Sequence, residues 1–590
     1  MMKYIVLLCV AMLLGSTLCQ GQVRGMKRST RHSALSDKNP RMATAWVDAT
    51  MKNMSLRQKV AQLMVIRVPL NLEGKSQDDF EQLLKQTEVG GVCFFVGTAS
   101  KTLPLIRRFQ HLSKVPLLVC IDAEWGLGMR LKDCYSFPLN GDWGMLPPEM
   151  DTLLFDMGRE IGAQCRNMGI HVNFAPVVDI NSNPNNPVIG PRSFSDNPQR
   201  VANLGIQYMK GLQSQGVMAV AKHFPGHGDT ETDSHLDLPV INHTKAYIDS
   251  IDLFPFQHLA DNGIRGMMVA HLQVNALDDR PNMPSSLSER IVLPILRQQM
   301  AFDGLVFTDG IDMKAVSNNY KDGEGAIRAI RAGSDVILLP IDVVKTIDTV
   351  VAEAKRDPEF AKMIDDRCHR ILREKYLCGL DKADFSKLSA PSAADNRRCR
   401  QITQMMAQKA LTLVRNNAYV LPLKQGQQVV NVALGNCDTA ITKLTDQLGN
   451  RIKNAGTVVM SLYGTLSSSN NYGVSKESIA LIKQIAAIED VTSILVVYGS
   501  PYILESFPKD DQSCPSTIVM AYQNMPEVIE AVPGALYGTT PFEGKLPVTS
   551  GGYREGTSLK PGPNLCLPPM TPCNRQVWTP PASTKSMPLP

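Results

Sequence analysis

Residues 216–223 read Gly-Val-Met-Ala-Val-Ala-Lys-His, a run of small and apolar residues that ends on a lysine and a histidine. A continuous apolar run of this length, opened by a glycine, is typical of a strand buried on both faces of a parallel sheet. The carboxyl ends of such strands are where α/β folds place their chemistry. This stretch therefore predicts both the type of sheet and the edge at which a functional site is expected.

Seven other runs in the first part of the chain have the same character, and amphipathic stretches such as 151–168 and 197–215 lie between them. Alternation of buried strands and helices predicts a parallel sheet. Together with residues 216–223 there are eight runs, at residues 60–68, 91–96, 116–122, 171–179, 216–223, 265–271, 304–309 and 334–340. Eight such units predict a TIM-type (β/α)8 barrel, with an open doubly wound sheet as the alternative.

The chain has 590 residues, which is too long for one hydrophobic core. A second alternating block follows the first, with apolar runs at residues 429–434, 457–462, 493–498 and 517–522. This block predicts a smaller α/β domain, and it carries no glycine-rich phosphate loop. We predict the barrel domain at 40–383, a linker at 384–400 and the second domain at 401–555.

The net charge and the first residues indicate which partners and which cellular location to expect. The net charge of +5 is small for this length and gives no reason to expect nucleic acid as a partner. Residues 1–21 combine a basic start, a short apolar run and small residues, as a secretory signal does. No later stretch is apolar enough to span a bilayer. We therefore predict an exported protein, in the periplasm or on the outer surface of a bacterial cell, with an uncleaved anchor or a lipid on Cys19 as alternatives.

The thirteen cysteines are scattered, without a CxxC pair. Several, including Cys93 and Cys120, lie inside apolar runs. A buried free thiol behaves as a small apolar side chain. We expect these two cysteines to be buried and unpaired.

The densest polar cluster follows the run at 216–221. Lys222 and His223 can donate hydrogen bonds to ligand hydroxyl groups, and Asp233 is close enough to His235 to orient its imidazole. A histidine beside a carboxylate is suited to give and take a proton near neutral pH. A metal site containing His227 and a solvated loop are the alternatives. The spacing fits no standard structural zinc pattern, so we predict no metal.

A second candidate lies at the end of the run 304–309. Asp309 is followed by Gly310, which leaves room around the carboxylate, as a nucleophile requires. The alternative is a capping role for a helix that starts near Met313, although Asp312 is better placed for it. We predict that Asp309 is the nucleophile.

Seven segments of the chain carry recognisable motifs. They are residues 121–124 with Arg130, and residues 173–179, 192–194, 222–228, 233–235, 268–271 and 308–313. Together they resemble the family 3 glycoside hydrolases, and within that family the β-N-acetylglucosaminidase branch. The resemblance covers residues 50 to about 555. Its most specific part is the Lys222-His223 block followed by Asp233-Ser234-His235.

The resemblance assigns roles to individual residues. It implies that Asp309 is the nucleophile and that His235 is the acid/base, oriented by Asp233. It also implies that the second domain is the family's α/β sandwich. The residues predicted to hold the terminal sugar are Asp122, Arg130, Arg192, Lys222, His223 and His271.

The reaction implied is a retaining, exo-acting removal of a β-linked N-acetylhexosamine from a peptidoglycan-type or other amino-sugar glycan. It needs no metal and no organic cofactor. The alternatives are a β-glucosidase and a phosphorylase, in which phosphate replaces water. A non-enzymatic carbohydrate-binding protein would be expected to lack Asp309 or His235, and both are present.

The last residues, 556–590, are rich in proline and show no pattern. We predict an irregular tail. Plausible codons for residues 578–590, read in another phase, give the start of an amphipathic helix. In exported relatives of this branch a serine-hydrolase-like domain follows at this point. The hypothesis is that the tail results from a frameshift in a longer chain.

Overall fold

The computed structural model describes residues 40–70, 72–231, 237–321, 323–466 and 471–561. The predicted signal segment, the dyad of Asp233 and His235 and most of the predicted tail lie outside these residues. Within them, no helix is both long and apolar enough to cross a membrane.

Eight parallel strands close into a barrel, and each strand pairs with the next one in the chain. The strands are β1 Met64–Arg67, β2 Gly91–Phe94, β3 Leu118–Ile121, β4 Val172–Asn173, β5 Met218–Phe224, β6 Gly266–Val269, β7 Leu305–Gly310 and β8 Val336–Leu338. Pairing of β1 with β8, with Met64 opposite Ile337, closes the barrel. The predicted barrel is confirmed, and the open sheet is excluded.

Helices surround the barrel and cover the second sheet. They are α1 Pro40–Lys52, α2 Leu56–Gln62, α3 Lys75–Thr87, α4 Ala99–Leu112, α5 Asn140–Gly144, α6 Thr152–Met168, α7 Pro198–Ser214, α8 Lys245–Tyr247, α9 Phe254–Asp261, α10 Lys314–Ser317, α11 Glu324–Ala332, α12 Val343–Arg356, α13 Pro358–Leu377, α14 Ala393–Ala410, α15 Asp446–Ala455, α16 Lys476–Ala486 and α17 Pro526–Leu536. Two π-helical segments, Ile248–Asp252 and Val292–Gln299, lie on either side of β6.

The pair α6 and α7 shows why these segments are helical. Along α6 the fully buried Leu154, Met157 and Ile161 recur at helical spacing and form one apolar face. The helix ends at Gly169, which has a φ of 78°. A side chain at Gly158 would place its Cβ 2.5 Å from the carbonyl oxygen of Tyr208 on α7. Glycine at this position therefore lets the two helices pack closely.

The second domain is built on a five-stranded sheet in the order β9-β13-β12-β11-β10. Its strands are β9 Thr412–Asn416, β10 Val430–Gly435, β11 Thr457–Tyr463, β12 Thr492–Tyr498 and β13 Thr517–Met520. Strand β9 is antiparallel to β13, and the other pairs are parallel. A second α/β domain is thus confirmed, with one strand more than the four apolar runs that we singled out.

The predicted linker at 384–400 stays a prediction, and α14 begins inside it at Ala393. The Ser392 side chain accepts a hydrogen bond from the Asp395 amide, and the Asp395 side chain accepts from the Ser392 amide. This capping box starts the helix. The other predicted domain boundaries stay predictions.

Side chains of the barrel domain make direct contacts with the second domain. The Tyr135 hydroxyl donates to the Glu527 carboxylate at 3.1 Å. The Ser195 hydroxyl donates to the Pro547 carbonyl oxygen at 3.0 Å. The second domain thus packs on the barrel through hydrogen bonds as well as apolar contacts.

The cysteines that the structure describes are all free. Cys93 lies in β2 and Cys120 in β3, and both are buried. Burial raises the pKa of both thiols well above their ordinary value. The prediction of buried, unpaired cysteines at these two positions is confirmed.

Candidate active site

The predicted site residues lie at one end of the barrel. Asp122 follows β3, Lys222 and His223 are near the end of β5, His271 follows β6, and Asp309 is near the end of β7. Since all eight strands are parallel, their carboxyl ends meet at the same opening. We call this opening the mouth and the opposite end of the barrel the closed end.

Lys222 lies between two carboxylates of the mouth. Its Nζ is 2.8 Å from Asp122 Oδ1 and 2.7 Å from Glu124 Oε1. Asp122 also accepts from Arg130 Nη2 at 2.9 Å. Burial by itself would raise the pKa of Asp122, but Lys222 and Arg130 hold it below its ordinary value. Burial opposes the charge on Lys222 as well, yet the two carboxylates raise its pKa.

Glu124 was not among the predicted site residues. It is almost fully buried, and Arg192 donates to both of its oxygens, at 3.0 and 2.7 Å. Burial would raise the pKa of Glu124, but Arg192 and then Lys222 lower it far below the ordinary value. A bidentate pair of this kind fixes the orientation of the Arg192 guanidinium and balances the two charges. Its place two residues after Asp122 was the available signal.

His223 is held by Asp179, which lies six residues after the end of β4. Its Nδ1 is 2.7 Å from Asp179 Oδ2, and its amide donates to the same carboxylate at 3.1 Å. The amide of His227 donates to Asp179 Oδ1 at 2.8 Å. One buried carboxylate therefore sets the path of the chain where it leaves β5.

The loop after β5 is held tightly against the β4 loop. Asn186 donates to the carbonyl oxygens of His227 and Gly228, at 2.8 and 3.0 Å. A Cβ at Gly228 would lie 1.7 Å from the carbonyl oxygen of Ile180, so only glycine fits there. The loop that leads to residues 232–236 thus starts from a fixed point.

His227 is neutral at ordinary pH. Its Nδ1 is 2.8 Å from the Thr230 hydroxyl, and burial followed by the nearby His223 lowers its pKa to about 4. Within the described ranges, no three His, Cys, Asp or Glu side chains are grouped closely enough to hold a metal ion. The metal alternative, which includes His235, is tested by chelation.

Asp309 is partly exposed at the mouth, and its Oδ1 accepts from the Gly310 amide at 2.8 Å. Burial works to raise its pKa, but the imidazoles of His271 and His223 and the Gly310 amide lower it below the ordinary value. An ionised carboxylate is the form that a nucleophile needs.

His271, predicted to bind the sugar, has partners within the protein, and its role as a sugar ligand stays a prediction. The side chain is fully buried, with Nε2 2.9 Å from the Gly310 carbonyl oxygen and Nδ1 2.6 Å from the Ser286 hydroxyl. The carbonyl can only accept, so Nε2 carries the proton and Nδ1 accepts from Ser286. Both nitrogens are therefore engaged within the protein, and His271 supports the backbone beside Asp309.

The capping alternative for Asp309 is wrong. Helix α10 begins at Lys314 with Met313 at its N-cap, and no side chain caps it. Asp312 instead accepts from Arg67 Nη2 at 2.7 Å. Asp309 is thus free of a helix-capping role, and Asp312 fastens the end of β1 to the segment after β7.

Comparison with known proteins agrees with this architecture. The sequence profile described as Glycosyl hydrolase family 3 N terminal domain matches residues 55–374, more than half of the chain. Beta-hexosaminidase A of Pseudoalteromonas piscicida is 32% identical over 384 residues, which are 60% of this chain and 64% of that protein. The match thus spans less than two thirds of that relative.

Two longer matches include the second domain. A beta-N-acetylglucosaminidase/beta-glucosidase of Cellulomonas fimi is 26% identical over 553 residues, 85% of this chain and 95% of that protein. The solved structure of a family 3 beta-N-acetylglucosaminidase from Paenibacillus sp. FPU-7 is 29% identical, with a TM-score of 0.68, and the match covers 84% of this chain and 98% of that one. The profile, the relatives and the barrel agree, and the chain belongs to glycosyl hydrolase family 3.

Proposed function

We propose that this protein is a retaining, exo-acting β-N-acetylglucosaminidase that removes a terminal β-linked N-acetylhexosamine from a glycan. The observation that carries the proposal is the position of Asp309 near the end of β7 at the mouth, where burial would raise its pKa but His271 and His223 lower it. The beta-hexosaminidase names of the relatives support the choice of sugar.

The first half of the reaction uses Asp309 as the nucleophile. Its carboxylate attacks the anomeric carbon, the bond to the leaving oxygen breaks, and a glycosyl ester forms on Asp309. Asp122, Arg130, Arg192, Lys222 and His223 would hold the sugar. Since Lys222 and Arg192 are already fixed by carboxylates, their donors are positioned before the substrate arrives.

The leaving oxygen needs a proton, and the mouth carboxylates are poor sources of one. The pKa values of Asp122, Glu124, Asp179 and Asp309 are all lowered. A glycosidase acid requires a raised pKa instead. We therefore assign the proton transfer to His235, oriented by Asp233, on the loop that His227 and Gly228 begin. In the second half, His235 takes a proton from water, and the water releases the sugar from Asp309.

We also propose that the protein is exported through residues 1–21 and acts on peptidoglycan-type or other amino-sugar glycans outside the cytoplasm. The basic, apolar and small-residue pattern of this segment supports export. A fusion of residues 1–40 to a reporter enzyme should be exported and cleaved. Retention of the uncleaved fusion would contradict this proposal.

The decisive experiment compares chromogenic β-N-acetylglucosaminide and β-glucoside. We expect a higher kcat/KM for the N-acetylglucosaminide, and an equal or reversed preference would overturn the assignment. When inorganic phosphate is added to the assay, the product should still be the free sugar. Formation of a sugar 1-phosphate would identify a phosphorylase instead.

The role of His235 is tested by varying the leaving group. His235→Ala should slow an unactivated glycoside by about 10²–10⁴-fold and an activated aryl glycoside much less, because a good leaving group needs little protonation. Chelators should leave the wild-type enzyme unchanged. Equal loss on both substrates, together with inactivation by chelators, would favour the metal alternative.

A further inference from the structure

Asp179 differs from the other carboxylates of the mouth in its partners. Asp122 and Glu124 each pair with a lysine and an arginine. Among the described residues, Asp179 instead faces a histidine, with Oδ2 2.7 Å from His223 Nδ1. A carboxylate without exposed surface is costly to bury, so its contacts are expected to serve a purpose.

We propose that Asp179 is a positioning residue that fixes the proton of His223 on Nδ1 and so turns Nε2 towards the glycan as a hydrogen-bond acceptor. This inference deepens the proposed function and rests on it for the identity of the ligand. It also changes the role of His223, which the sequence suggested as a donor to sugar hydroxyls.

The tautomer follows from the chemistry of the two partners. Burial tends to raise the pKa of Asp179, but His223 and the hydrogen bonds to the carboxylate lower it, so the carboxylate is ionised and can only accept. The 2.7 Å contact between Asp179 Oδ2 and His223 Nδ1 therefore requires a proton on Nδ1. In the neutral imidazole the other nitrogen, Nε2, then carries a lone pair.

The remaining nitrogen is available to a ligand. Within the part of the chain that the structure describes, the side-chain hydrogen bond of His223 uses Nδ1, and Nε2 has no protein partner. His223 lies next to Lys222 near the end of β5, at the same mouth of the barrel as Asp309 near the end of β7. A sugar hydroxyl that donates to His223 Nε2 would be fixed beside the nucleophile.

The backbone contacts of Asp179 can be separated from its contact with the imidazole. The amides of His223 and His227 need an acceptor oxygen, and asparagine at position 179 can supply one. At the second oxygen, Asp179→Asn places an amide that donates to His223 Nδ1 and moves the proton to Nε2. The variant therefore keeps the path of the loop, and His223 Nε2 becomes a hydrogen-bond donor instead of an acceptor.

The tautomer can be measured without activity. Nitrogen-15 NMR of histidine-labelled enzyme, assigned with His223→Ala, should show His223 protonated at Nδ1 in the wild type and at Nε2 in Asp179→Asn. The same tautomer in both proteins would overturn the proposal. Because this measurement needs no substrate, it decides the proposal even if the enzyme acts on another sugar.

Kinetics provide the second test. Asp179→Asn should lower kcat/KM by about 10–100-fold, the range known for loss of the supporting hydrogen bond of a metal-ligating histidine. In a His223→Ala background the same change should have little further effect, since it acts through the missing imidazole. An equal loss in both backgrounds would show that Asp179 acts on the loop backbone alone, and would refute the proposal.

The matched control is Asp335→Asn at the closed end of the barrel. Asp335 is also fully buried, accepts from the Val306 amide at 2.8 Å and pairs with Arg297. This variant should lower the free energy of unfolding and leave kcat/KM unchanged. Equal kinetic losses in Asp179→Asn and Asp335→Asn would assign the effect to general destabilisation and overturn the proposal.

Discussion

The two ends of the barrel both contain buried ion pairs, but the pairs are built differently. At the closed end Arg265 donates twice to one oxygen of Glu374, at 2.9 and 2.7 Å, and both side chains are almost fully buried. Arg297 pairs there with Asp335 and donates to two carbonyl oxygens. These pairs join the starts of strands to helical segments.

At the mouth the charges are shared among several partners. Lys222 forms ion pairs with two carboxylates, and Asp122 forms ion pairs with Lys222 and Arg130. Asp309 and the Nε2 of His223 are left for a ligand. The comparison teaches that burial of charge alone does not identify a site, because both ends contain it. The mouth differs because its charged and polar groups are held in place and some of them still have a hydrogen-bonding atom available for a ligand. Such preorganised groups suit catalysis.

The largest effect is expected for the nucleophile. Asp309→Asn should lower kcat/KM on aryl β-N-acetylglucosaminide by about 10⁴-fold or more, as loss of a covalent nucleophile does in other enzymes. A slow fluorinated glycoside should label a wild-type peptide that contains Asp309. Labelling of a different peptide would mean that the nucleophile is elsewhere in the mouth.

The second test removes the shared cation of the mouth. Lys222→Met leaves Asp122 and Glu124 buried side by side, so the free energy of unfolding should fall by about 3–5 kcal/mol. The variant should also lose kcat/KM, because a donor to the sugar disappears. Urea unfolding and kinetics measure the two losses. Full activity in a destabilised variant would place Lys222 outside the binding site.

The third test makes the same chemical change at the closed end. Arg265→Met leaves Glu374 buried without its main partner, and stability should again fall by about 3–5 kcal/mol. Here kcat/KM should not change, provided that the assay temperature keeps the variant folded. If activity falls as far as in Lys222→Met, the proposed difference between the two ends is wrong.

The smallest effect concerns His171, just before β4 at the closed end. Burial, followed by the nearby charges of Arg166 and Lys375, lowers its pKa to about 3. In the unfolded chain the pKa of this histidine is about 6.5, so between about pH 3 and 6.5 the unfolded state binds more protons than the folded state. The free energy of unfolding therefore falls as the pH drops through this range. The slope from this one group is at most about 1.4 kcal/mol per pH unit.

His171→Asn should remove that slope and keep an acceptor for the Val119 amide, which lies 3.2 Å from His171 Nδ1. Urea unfolding at several pH values between about 4 and 6.5 compares the two proteins. A decline as steep in the variant as in the wild type would show that His171 is not the group responsible.

Several features were present in the sequence itself. The eight apolar runs predicted the barrel because strands buried on both faces need apolar side chains at every position. Residues 216–223 predicted both β5 and the position of Lys222 and His223 at its end. The local capping signal of Ser392 and Asp395, which starts α14 inside the predicted linker, is also in the sequence.

Other features were decided only by the tertiary structure. Glu124 meets Arg192 across 68 positions of the chain, and Asp179 meets His223 across 44. His271 resembled a ligand residue by its position after β6, but closure of the barrel turned it to Gly310 and Ser286. Local patterns carry the period of strands and helices, whereas the partners of a charged side chain depend on which strand ends meet when the barrel closes. The sequence therefore determined which residues reach the mouth, and the fold determined which of them keep a free hydrogen-bonding group for a ligand.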